Sequence, residues 1–272
     1  MELRANTIKR LKKDYGNWAL VTGATSGIGK ALATQLSKAG FNLVITGRRE
    51  PLLHSISTDL FDRYGTETIP ISGDLSEQKS VENLLKETAH LPIGIVILNA
   101  GFGTSGKLID ADIKDELNML DLNCKTLLLM SHHYANKMRN DSRKGSIVLL
   151  SSMVAFQAVP NAANYAASKA YVQSLGEALH RELKPEKIDV LCASPGPVAS
   201  GFSERANMKM GKSLTPDEIA RPILKAIGKR NTVLPGRLTK FLVYNLRIMP
   251  RSLKIRIMEK VMSGFTKHQR QA

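Results

Sequence analysis

Three side chains between positions 152 and 169 could together transfer one proton: the hydroxyl of Ser152, the phenol of Tyr165 and the amine of Lys169. Tyr165 and Lys169 are four residues apart, so on a helix they lie on one face within mutual reach. A free phenol titrates near pH ~10, too high for efficient proton exchange at neutral pH. A neighbouring ammonium favours phenolate and should lower that value. The pair therefore makes a credible acid/base device. Alone, it also fits an ordinary solvent-facing helix, so its meaning depends on the elements around it.

Those elements alternate. Apolar runs of strand length are predicted at 17–22, 41–46, 67–72, 93–98, 146–150, 188–193 and 232–234. Helical patterns are predicted at 30–38, 52–64, 76–89, 113–139 and 162–183, with a further start at Thr215 and Pro216. The pattern predicts an α/β fold: a doubly wound, Rossmann-type parallel sheet of about seven strands, helices on both faces, plus a C-terminal helical appendage. The segments expected are a basic N-terminal stretch (1–14), a dinucleotide-binding catalytic domain (15–236) and a basic amphipathic extension (237–272). Ligands of such sheets bind beyond the carboxyl ends of the strands. The turn from Gly23 to Gly29, then Arg48, Asp74, Asn99, Ser152, and Pro195 with Gly196, all fall at those ends.

The strand–glycine turn–helix at 17–38 presents free backbone N–H groups to a phosphate. Arg48 and Arg49 follow the second strand about twenty residues on, where an acid would hold a ribose hydroxyl and an arginine accommodates a 2′-phosphate. The first acid there is Glu50, beyond both arginines. NADP(H) is therefore expected over NAD(H).

In these residues the chain resembles the short-chain dehydrogenase/reductase family, over roughly residues 15–235. Thr22-Gly23-x-x-x-Gly27-x-Gly29 resembles its cofactor turn, Asn99-Ala100-Gly101 its motif after the fourth strand, and Asn123, Ser152, Tyr165 and Lys169 its catalytic set. The resemblance implies that Gly23, Thr25, Ser26, Gly27, Ile28, Gly29, Arg48, Arg49, Asp74, Leu75, Asn99, Ala100, Gly101, Pro195, Gly196, Val198 and Ser200 line the cofactor with Tyr165 and Lys169. It implies carbonyl/alcohol interconversion by hydride transfer. Tyr165 acts as general acid/base, Lys169 serves the phenol and the nicotinamide ribose, Ser152 polarises the substrate oxygen, and Asn123 holds a relay water. Ser151 competes for the serine role, but the family spacing favours Ser152. Leu98 stands where many members have a second Asn, Ser200 where Thr is usual, and Ser26 where some NADP-preferring members are basic. A catalytically silent NADP(H)-binding scaffold is the alternative function; the intact Asn-Ser-Tyr-Lys set favours the enzyme.

The hydrophobic share of 43% and charged share of 23% fit a globular chain, and no apolar run approaches the ~20 residues of a membrane span. The two cysteines, Cys124 and Cys192, offer neither a disulfide framework nor metal spacing, so no metal is expected and a cytoplasmic setting is. The net charge of +15 sits at the ends: residues 225–272 carry twelve Lys/Arg against Glu259 alone. Two readings stay open for that end: packing on the core or on a second subunit, or an anionic membrane surface touched peripherally. Nucleic acid is not expected, because no module accompanies the charge. A homo-oligomer, a dimer by preference, and a small carbonyl or alcohol substrate complete the expected partners. Positions 202–213 read as a mobile lid, and Leu253, Ile257, Val261 and Phe265 as the apolar stripe of the last helix.

Overall fold

A computed structural model of the chain describes residues 3–209, 211 and 213–270; Met210 and Lys212, inside the expected lid, lie outside the described residues. The strands are β1 (Trp18–Thr22), β2 (Asn42–Gly47), β3 (Thr68–Ser72), β4 (Ile93–Leu98), β5 (Gly145–Leu150), β6 (Ile188–Ala193) and β7 (Thr232–Val233). They form one seven-stranded sheet in the order β3-β2-β1-β4-β5-β6-β7, every pair parallel. All six residues of β4 and of β5 are buried, as strands covered on both faces require.

One face carries helices α1 (Ala5–Tyr15), α2 (Gly27–Lys38), α3 (Glu50–Tyr64) and α9 (Pro216–Ala226) over a core that includes Leu32, Leu36, Leu43, Ile45, Ile95 and Ile223. The other carries α4 (Gln78–Glu87), α6 (Leu127–Asn140) and α7 (Ala163–Glu182) over Leu20, Val96, Tyr134, Ile147 and Val172. A third apolar cluster stands above the strand ends and joins Phe102, Met119, Tyr165, Met208, Leu246, Met258 and Met262. It is contributed in part by α5 (Ile113–Leu120), α10 (Arg237–Arg247) and α11 (Arg251–Phe265), with Phe202 of the short helix α8 (Phe202–Arg205) packed against it.

The helix start at Thr215 follows its sequence signal: Thr215 caps α9 in a reciprocal box with Glu218, and Pro216 opens the first turn. Three local expectations are corrected. The helix expected at 76–89 begins at Gln78, because the Asp74 carboxylate accepts from the Ser76 amide at 3.0 Å and hydroxyl at 2.8 Å and holds a turn there. The segment expected as one helix over 113–139 is α5 and α6 joined by a π-helical stretch, Asp121–Thr126. On α11 the expected stripe is borne out in part: Ile257 and Phe265 pack against the third cluster, but Leu253 and Val261 are exposed, and Met258 and Met262 are the buried residues. Periodicity shows that an apolar face exists. How far that face extends was decided by the apolar cluster below, which takes Met258 and Met262 beside Ile257 and Phe265.

Candidate active site

Strand β5 ends in Ser151 and Ser152, which diverge as pleated neighbours do. Ser151 turns its hydroxyl to the Lys169 carbonyl at 3.0 Å, which makes it a fastener between sheet and helix. Ser152 meets the Tyr165 phenol in a side-chain hydrogen bond.

Helix α7 supplies Tyr165 and Lys169. Its Ala-rich first half favours helix, and it packs so closely on β6 that a Cβ at Gly176 would stand 2.2 Å from the Cys192 sulfur. Tyr165 is 8% exposed and Lys169 6%. The Lys169 ammonium donates to the Leu150 carbonyl at 2.8 Å and lies 5.9 Å from the centre of the Tyr165 ring. Burial dominates the ionisation of both groups. The phenol is pushed up to about 12, with the Ser152 hydrogen bond working against the rise, and the ammonium is pulled down to about 8. The expectation that Lys169 brings the phenol below its ordinary value is therefore corrected: burial raises it, and the opposing influence is the Ser152 hydrogen bond.

Asn123 sits in the π-helical stretch, a feature that recurs at functional sites. Both hydrogens of its amide nitrogen are used, on the Phe102 carbonyl at 2.8 Å and the Ser168 hydroxyl at 3.1 Å, and its oxygen accepts from the Phe102 amide at 3.1 Å. It ties the loop after β4 to α7. A Cβ at Gly101 would lie 2.7 Å from that oxygen and 3.4 Å from the Lys169 nitrogen, so these groups share one small space.

At the other end, Gly23 and Gly27 have φ of +67° and +54°, which favours glycine, and a Cβ at Gly29 would stand 2.2 Å from the Gly23 carbonyl. Ser26 leads into α2 with no side-chain cap, so its first amides are left for an external acceptor. Asn99 braces the turn: its side-chain amide donates to the Thr22 carbonyl at 2.9 Å, and its own N–H to the Thr22 hydroxyl at 2.9 Å. Arg49 donates to the Thr25 hydroxyl at 2.9 Å, and Arg48 pairs with Asp74 at 3.5 Å. Partial burial opposes the Asp74 charge, yet the Ser76 bonds and the Arg48 guanidinium hold its carboxyl below the usual carboxylate range.

One cleft of about 820 Å³ connects the two ends. Of the residues expected from sequence, Gly29 and Asn123 stand behind its wall, shaping the turn and bracing α7; the remainder line it. The sequence reading missed a second set of lining residues: Phe102, Met153, Phe202, Arg205, Met208 and the inner faces of α10 and α11. Phe202 packs its ring 5.4 Å from that of Tyr165, and the Arg205 guanidinium lies 3.6 Å from the centre of the Phe102 ring. Arg205 also feels the Arg48 charge, which adds to burial in lowering its pKa. The sequence signals for this wall were the expected lid at 202–213, which holds Phe202, Arg205 and Met208, and the apolar periodicity after Pro235; neither reveals the wall's neighbours. Among the described residues no cluster of His, Cys, Asp or Glu could hold a metal, and no helix is long and apolar enough to cross a membrane.

A dinucleotide fits this cleft on its chemistry: a glycine turn that a Cβ would fill, uncapped helix amides, and guanidinium groups at the far end. The cleft's other half is apolar, and the paired hydroxyls of Ser152 and Tyr165 stand between. This geometry accords with known proteins. The chain is 28% identical over 233 residues to a 7β-hydroxysteroid dehydrogenase of Clostridium sardiniense, covering 84% of this chain and 89% of that one. A structure solved in a study of 7β-hydroxysteroid dehydrogenase stereoselectivity superposes with a TM-score of 0.84 at 28% identity, covering 91% of this chain and 98% of that one. A short-chain dehydrogenase from Sphingobium yanoikuyae, in complex with NADPH, shares the fold with a TM-score of 0.77 at 24% identity, over 84% and 91% of the two chains. The family described as short chain dehydrogenase matches residues 17–211, and with the sheet order and the serine, tyrosine and lysine at the strand ends, the chain belongs to that family of oxidoreductases.

Proposed function

We propose that the protein is an NADP(H)-dependent oxidoreductase that interconverts a carbonyl and an alcohol on a bulky, lipophilic substrate, with Tyr165 as general acid/base. The observation that carries the reading is the position of the Tyr165 hydroxyl. It is bonded to Ser152, buried, and lines the cleft that the glycine turn, the arginines and the apolar residues of α10 and α11 also line.

The dinucleotide, when bound, supplies or accepts the hydride. The residues do the rest. Tyr165 is protonated at neutral pH, the form needed to give a proton to a carbonyl oxygen as it is reduced; burial, which pushes its pKa up to about 12, makes it a weaker acid, and the Ser152 bond and a charged Lys169 would offset that cost. Ser152 donates a second hydrogen bond to that oxygen and stabilises charge as it develops. Lys169, charged below about 8, supports the phenolate left behind and reaches the ribose of the dinucleotide. Asn123 has spent its amide hydrogens on Phe102 and Ser168, so the carbonyl groups of the π-helical stretch are what remain to hold a relay water between Lys169 and solvent.

Arg48 and Arg49 support NADP(H) over NAD(H), since no acid stands at the end of β2 to receive a free ribose hydroxyl. The methionine-lined chamber under α10 and α11 supports a lipophilic substrate, and the hydroxysteroid dehydrogenase relatives make a hydroxysteroid the first to try. The residue at 200, Ser in place of the usual Thr, retains a hydroxyl at the cleft wall. A homodimer working in the cytoplasm, with its C-terminal end at a membrane surface, completes the proposal.

The test is NADPH oxidation with a panel of ketones that includes oxosteroids. Tyr165→Phe should leave the NADPH Kd within about twofold and lower kcat by at least ~10³. Retained turnover would refute the role of Tyr165. Arg48→Ala should weaken NADPH binding by tenfold or more, roughly the ~1.5–3 kcal/mol of a charge-assisted bond, and leave NADH binding nearly unchanged.

A further inference from the structure

Helix α10 has two faces of different use. Thr239, Leu242 and Leu246 turn inward and line the cleft. On the other side Phe241 is 63% exposed, Tyr244 59% and Ile248 84%, and Leu238, 65% exposed, stands at the rim between the two faces. Offsets of three, three and four residues place these four side chains along one stripe, and a contiguous exposed apolar stripe marks an interaction surface.

The stripe is bordered by cations. Arg237, Lys240, Arg247 and Arg251 are all exposed, and no Asp or Glu occurs between positions 237 and 258. A second copy of this chain would bring the same cationic rim against itself, with Glu259 the only acid in residues 225–272 to offset it. An anionic lipid surface answers both features together: apolar side chains enter the headgroup–acyl boundary while arginine and lysine meet phosphate. We propose that α10 and the turn into α11 seat the protein on an anionic bilayer, with Leu238, Phe241, Tyr244 and Ile248 as the inserted side chains.

The seat coincides with the mouth of the cleft. Leu238 on α10 and Val261 on α11 line the cleft and are also exposed, so the cleft reaches solvent there as well as beside the exposed Ser26, Arg48 and Arg49. A substrate dissolved in the membrane can then pass between them to Tyr165 without crossing bulk water. This delivery route rests on the lipophilic-substrate reading; the docking itself does not.

The test uses the full-length protein with vesicles of phosphatidylcholine alone or with about 30% phosphatidylserine. We expect selective binding to the anionic vesicles, released as salt is raised to about 0.5 M. The double variant Phe241→Ser/Ile248→Ser should weaken it at least ~10-fold, with melting temperature and NADPH binding unchanged. Arg247→Glu/Arg251→Glu should remove the preference for phosphatidylserine. Equal binding to both vesicle types, no binding to either, or wild-type binding by both variants would overturn the proposal. So would a dimer in sedimentation that dissociates in the Phe241→Ser/Ile248→Ser variant, because a second copy would then own the stripe. Anionic-vesicle binding with turnover confined to small polar ketones would uphold the seat and overturn the delivery route.

Discussion

Tyr165 and Lys169 show how burial reshapes a pair that looks simple in sequence. A lysine whose pKa falls from 10.5 to about 8 on folding binds fewer protons folded than unfolded between those limits. Stability therefore rises with pH from about 8 to 10.5, and the cost of burying the charge is fully present below 8. Tyr165 acts in the opposite sense: its pKa rises from 10.0 to about 12, so it stabilises the folded state below 10 and that contribution is lost as pH climbs from 10 to 12. Thermal melts of wild type and Lys169→Met across pH 7 to 10 should differ in slope, the variant lacking the gain above about 8. The same group sets the expected rate profile: kcat/KM for reduction should fall above about 8 as Lys169 loses its proton. A profile flat through pH 10 would argue that another group supports the phenol.

Among the elements, α7 matters most, because one rigid helix carries both ionisable groups and rests on β5 and β6. Its contact is fixed at Gly176, where a Cβ would meet the Cys192 sulfur at 2.2 Å and Leu149 at 2.8 Å. Gly176→Ala gains helix propensity of up to about 1 kcal/mol but overpacks the contact, at a cost of about 1–3 kcal/mol. The second effect should win. We expect a lower melting temperature and a drop in kcat larger than the loss of NADPH affinity, since the helix shifts Tyr165 and Lys169 together while the glycine turn and the arginines stay in place. Helix α1 is an element whose role was invisible as a charge run. Its basic residues face solvent in part, but Leu11 and Tyr15 are buried, the Arg10 guanidinium donates to the Ile227 carbonyl at 2.7 Å, and the Tyr15 hydroxyl donates to the Asp189 carboxylate at 2.7 Å. Burial and that carboxylate raise the Tyr15 pKa, so it stays a donor at all ordinary pH. Tyr15→Phe should cost about 1.5–3 kcal/mol by denaturant melt, the range for a bond to a charged group.

Across the whole molecule, the division of labour follows the direction of the strands. Their carboxyl ends gather the glycine turn, the arginines and the serine, because parallel strands joined by right-handed crossovers bring every following loop to one edge. The chain's charge is divided as well: residues 14–224 carry as many acids as bases, while the excess lies in the basic N-terminal segment and in residues 225–272, which include α10 and α11. On the proposed reading, access and the membrane-facing surface fall to α10 and α11, apart from the residues that would carry the chemistry.

What the sequence determined by itself was local or periodic. Seven strand runs, the glycine turn, the four-residue interval from Tyr165 to Lys169 and the Thr215 cap each depend on a few neighbouring residues, and each was legible before any contact was known. The site's rim was legible too, because chain direction alone sends those motifs to one edge. Only the tertiary structure decided the rest. How far the inward face of α11 extends, that Phe202 covers Tyr165, and that Arg205 lies over Phe102 all involve residues far apart in the chain. The electrostatic outcome was decided there as well. Spacing promised a phenol eased by its lysine, but the closed apolar cluster removed water from both groups, and desolvation is a property of the surroundings that no interval in the sequence encodes.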